Sequence, residues 1–84
     1  MTTILRPISS IAYDIQKEWG NKTNYAAKPY LSAMKGLNSI SDHYGYDSGR
    51  SIVLYFLGNA STFRGETAKS LKQELKNHLN QKGE

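Results

Sequence analysis

An unbroken apolar run, Ile52-Val53-Leu54-Tyr55-Phe56-Leu57, sits in a chain of 84 residues that contains no cysteine. The run is far shorter than the roughly 20 residues that cross a bilayer as a helix, so it must be covered by the chain itself. Residue types and length admit two readings. Ile52, Val53, Tyr55 and Phe56 have strand propensity, and six residues is strand length. In the helical reading Ile52, Val53, Phe56, Leu57 and Ala60 make one broad core face, with Leu54 and Tyr55 partly covered at its sides. No second segment of similar quality exists to pair with a strand here, and a lone strand leaves its backbone groups unsatisfied. The helix is therefore favoured, as the central element and buried nearly all round.

The other segments carry helical periodicity. Pro7 suits a first helical position, and Ile8, Ile11, Ala12, Ile15 and Trp19 follow at helical spacing before Gly20, a residue that closes helices. Pro29 opens a second, shorter segment with Tyr30, Leu31, Met34 and Leu37, which Gly36 and Asn38-Ser39 bring to an end. Residues 40–46 read as an ordered loop. Asp47-Ser48 is a capping pair ahead of the apolar run. Ala68, Leu71, Leu75 and Leu79 form a narrow stripe in a last, polar segment, with Ser61 or Thr62 as its cap and Lys76 and His78 near the negative end of its dipole. The expectation is an all-α chain, one domain over residues 1–84. It is a small four-helix bundle with helices at about 7–19, 26–37, 48–60 and 64–80, the third hydrophobic, no hydrogen-bonded ladder, and a fraying end at 81–84.

Chemistry is sparse. Without cysteine there is no disulfide, thiolate zinc site or cysteine nucleophile. Ser41-Asp42-His43 has the residue types of a hydrolytic triad, but adjacent residues do not converge as triad members do, and a polar turn is the simpler reading. Glu74 and His78, four apart, supply two metal ligands at most and read as a surface hydrogen bond or salt link. The glycines follow no phosphate-loop or dinucleotide pattern. A non-enzymatic protein with no cofactor and no metal is expected. The start of the sequence lacks the basic and apolar regions of a signal peptide, so a cytoplasmic protein without a membrane segment is expected as well.

Two surfaces stand out. The net charge is +4, and Arg64, Lys69, Lys72 and Lys76 supply much of the basic excess of the C-terminal half. The three lysines fall within about 60° of one another on a helix, which suits an anionic partner or, more plainly, a solvated face. The six tyrosines crowd toward residues 25–46, and tyrosine joins a large apolar area to a hydrogen-bonding tip. Tyr25, Tyr30, Tyr44 and Tyr46, with Phe63 and Arg64 at the 61–66 corner, are the candidate protein interface. Tyr25 and Tyr30 with Lys22, Lys28 and Lys35 also fit single-strand stacking. A helix-turn-helix reader over 50–70 is disfavoured, because it sets Arg64 and Thr67 where apolar residues are wanted. At the corner, Gly65 suggests close packing against the third helix, and Arg64–Glu66 a pinning pair.

From Asp47 to Ala68, and on through Lys72-Gln73-Glu74-Leu75, the sequence resembles small uncharacterised proteins of tailed bacteriophages and prophages. The likeness extends weakly to Ile11, Trp19, Pro29-Tyr30-Leu31 and Ala33-Met34. Position 63, often tryptophan in that pattern, is Phe63 here. The resemblance implies action in a bacterial host cytoplasm and carries no functional residue. By class analogy it favours a module that binds a host or phage protein. A nucleic-acid accessory protein using the C-terminal helix is the alternative, and a homo-oligomeric element a third possibility.

Overall fold

The computed structural model describes residues 5–80; the expected fraying of 81–84 lies outside them. The described residues are mostly helical, with four α-helices and one small two-stranded sheet. In order these are α1 (Ile8–Trp19), α2 (Lys28–Met34), β1 (His43–Tyr44), β2 (Asp47–Ser48), α3 (Gly49–Gly58) and α4 (Glu66–Leu79), with a 3₁₀ turn at Gly20–Lys22. Helix α1 packs on α2 and α4, and α3 closes the arrangement by packing on the same two.

The periodic positions fill the core. Ile8, Ile11, Ala12, Ile15 and Trp19 of α1 are buried, as are Leu31 and Met34 of α2, Ile52, Val53 and Phe56 of α3, and Ala68, Leu71 and Leu75 of α4. Trp19 is the aromatic hinge of this core. Its ring stacks on Phe63 at 4.9 Å and meets Phe56 edge-on at 6.1 Å, joining the end of α1 to α3 and to the connection that follows it. The apolar run is helical, but it is not covered all round. Leu54 and Tyr55 are half exposed, because α3 packs on α2, α4 and the β2 strand before it and leaves its outer side in water.

Several expectations need correction. A ladder does exist: β1 and β2 pair antiparallel, His43 opposite Ser48 and Tyr44 opposite Asp47. Gly45, at φ 64, begins the two-residue turn, and no other residue there has positive φ. That is the geometry of a type II′ hairpin, which needs glycine first. Propensity was silent here because two residues per strand carry no period. Helix α2 is shorter than 26–37: Asn24 folds residues 25–27 into a turn through its carbonyl and Oδ1, and Leu37 lies in the turn beyond the helix. Helix α3 begins where Ser48 caps it, its Oγ accepting from the Ser51 amide at 3.2 Å. Neither Ser61 nor Thr62 caps α4. Gly65 holds that position at φ 111, and α4 has no side-chain cap.

Residues 37–42 organise the interior. The carbonyls of Leu37 and Asn38 accept from the amides of Ser9 and Ile8, and those of Ile40 and Asp42 accept from Arg50 and Gly49. One loop thus satisfies unpaired N–H groups at the starts of both α1 and α3. A Cβ at Gly49 would lie 2.7 Å from the Ser39 carbonyl oxygen, so only glycine lets the loop approach so closely.

Candidate functional site

The basic residues of α4 converge as their spacing suggested. Phe63, Arg64, Gly65, Lys69, Lys72, Gln73 and Lys76 line one open groove of about 310 Å³. The Lys72 ammonium stands 5.8 Å above the centre of the Phe63 ring, and Arg64 Nε donates to the Ser61 carbonyl at 3.3 Å. Burial, and then repulsion from Lys76 and Arg64, lowers the pKa of Lys72 below that of an ordinary lysine. Among the described residues the side-chain ion pairs are those of Arg6, so no groove cation is held in an ion pair. Glu66 lies to one side, lining a neighbouring hollow with Lys69, Ser70 and Gln73. The expected Arg64–Glu66 pin is not formed. Gly65 does not mark close packing either: a Cβ there would meet nothing within 4 Å, and its positive φ is what calls for glycine.

The aromatic candidates divide. Tyr25 is 87% exposed, Tyr46 is fully exposed at the hairpin tip, and Tyr44 beside it is half exposed. Tyr30 is partly buried, 5.5 Å from Tyr55 across the α2–α3 seam. Phe63 is 3% exposed; its faces are taken by Trp19 and Lys72, and it is a core residue rather than a contact surface. Leu54 and Tyr55, expected to be partly covered at the sides of the apolar run, are half exposed and were not named among the candidate surface residues. Tyr13 was missed too, although it lies off the α1 stripe; it is half exposed, with the Lys35 ammonium 5.6 Å from its ring centre. Lys35 and Lys28 line a second groove of about 410 Å³ between α1 and α2, alongside Gln16, Thr23, Leu31 and Ser32.

Glu74 and His78 do not bind each other. Both oxygens of Glu74 accept from Arg6, at 2.8 and 2.9 Å, and Arg6 also reaches Asp14 at 2.8 Å. Those hydrogen bonds, Glu74 first and Asp14 second, hold the Arg6 guanidinium more firmly protonated than usual. His78 is 3% exposed, and its Nε2 lies 2.7 Å from the Arg6 carbonyl. A carbonyl only accepts, so Nε2 carries the proton and the buried Nδ1 is left without a partner. In the Ser41-Asp42-His43 turn, Asp42 Oδ2 accepts from the amides of Asn38 and Ser39 at 2.7 and 3.3 Å, and the His43 side chain is exposed. The carboxylate braces the loop.

The α3–α4 connection runs over residues 59–65, longer than the three- or four-residue turn of a helix-turn-helix. Among the described residues no helix is long and apolar enough to cross a membrane. Comparison with protein-family models, with curated proteins and with solved structures finds no match.

Proposed function

We propose that this chain is a non-enzymatic protein-binding module, a four-helix bundle that presents tyrosine side chains to a protein partner. One observation carries the reading. Among the described residues, the exposed large apolar side chains are Tyr13, Tyr25, Tyr44, Tyr46, Tyr55 and Leu54. Five of the chain's six tyrosines therefore hold apolar area in water, and tyrosine, with tryptophan and arginine, is enriched at binding hot spots. Tyr44 and Tyr46 are the sharpest members, set on a tight hairpin braced against the start of α3. The phage resemblance adds the expectation of a host or phage protein as partner in a bacterial cytoplasm.

The test is affinity purification from expressing bacteria, with the Tyr44→Ala and Tyr46→Ala variants alongside the unaltered chain. The expected result is a partner captured by the parent and lost with either variant, while circular dichroism stays the same. Equal capture by all three proteins overturns the reading.

A further inference from the structure

The α4 groove is a second surface with different chemistry. Arg64, Lys69, Lys72 and Lys76 face it together, and among the described residues none has a carboxylate partner. We propose that this groove binds the phosphate backbone of duplex nucleic acid.

Three observations select that ligand. First, the charges are complementary. Lys69, Lys72 and Lys76 set cations along about 10 Å of helix, over which a duplex presents about six negative charges, enough to give each cation a phosphate. Second, an acidic protein partner would want an apolar anchor beside the charges, and none of the exposed large apolar side chains among the described residues lines this groove. Third, a single strand is bound by stacking its bases on aromatic faces. Among the described residues the aromatic ring lining this groove is Phe63, which is 3% exposed, stacks on Trp19 at 4.9 Å and has the Lys72 ammonium 5.8 Å from its centre. What remains is a row of cations that can neutralise a backbone.

Fluorescence anisotropy with labelled DNA and RNA duplexes about two helical turns long, and with the matching single strands, tests this across a salt series. With four cations engaged, log K should fall against log salt with a slope of about −3 to −4, a loss on the order of 10²-fold between about 50 and 200 mM. Replacing Lys69, Lys72 and Lys76 together by Gln should flatten the slope by about 3, and replacing them by Arg should restore it. Circular dichroism of both variants separates lost binding from lost fold. Tyr46→Ala should leave the slope unchanged. Four outcomes overturn the proposal: no duplex binding at the lowest salt, binding indifferent to the triple Gln variant in a folded protein, tighter binding of the single strand, or displacement of duplex by polyglutamate at equal charge.

Discussion

At the scale of single residues, two glycines show how the same side chain serves opposite needs. Gly49 sits against the backbone of residues 39–42, with three atoms within 3.1 Å of where a Cβ would stand. Backbone cannot rotate away as a side-chain end can. Gly49→Ala should therefore destabilise by about 1–3 kcal/mol, the range of an overpacked core. Gly58 closes α3 with nothing within 4 Å of a Cβ and without positive φ, so Gly58→Ala should stabilise by about 0.4–1 kcal/mol. Urea denaturation of the two variants gives the signs directly, and equal signs would contradict the placement of the loop. Lys72 allows a comparable test. Its pKa is lowered from an ordinary value of 10.5 by burial and by Lys76 and Arg64. The folded chain holds that proton less tightly than the unfolded one, so the cost is fully present below the folded value and is relieved as pH rises toward the unfolded one. Lys72→Met, which removes the charge and keeps the stem over Phe63, should raise Tm at neutral pH by a few degrees at most. It should also lower the affinity for duplex. A lysine that only solvates the surface would move neither quantity.

Elements are where sequence reading succeeded and failed for identifiable reasons. Helices α1 and α4 were legible because each has a long polar face that isolates an apolar stripe, and the buried positions of α1 are those the stripe named. The hairpin was not legible, since its strands are two residues each and only Gly45 betrays the turn. The convergence of the basic residues followed from helical spacing alone. The burial of Phe63 did not, because it depends on Trp19 arriving from the far end of α1. His78 was hidden for the same cause: its partner, the Arg6 carbonyl, lies 72 positions away. Asp42 makes the element-scale prediction. Its carboxylate accepts two amides of the loop whose carbonyls cap α1 and α3. Asp42→Ala should cost about 1–2 kcal/mol, as loss of a helix cap does. Asp42→Asn, which keeps an accepting oxygen, should cost less than half of that. Equal losses in thermal melts would mean that charge rather than hydrogen bonding sets the role of Asp42.

For the whole molecule, the question is whether its two surfaces act as one. The exposed tyrosines lie on α1, the turn before α2, the hairpin and the outer side of α3, whereas the four groove cations lie on α4 and the connection before it. The elements between them share one buried core, and coupling across such a core requires an element with two discrete arrangements that both ligands bias. Without such an element, binding at the hairpin and at the groove should be additive. In a double-variant cycle combining Tyr46→Ala with Lys69→Gln and Lys76→Gln, the losses in duplex affinity and in partner affinity should each sum to within about 0.3–0.5 kcal/mol. A larger interaction energy, of either sign, would mean that a single partner spans both surfaces. The tyrosines and lysines would then have to be reinterpreted as halves of one interface, and a ternary complex with separate protein and duplex ligands would not form.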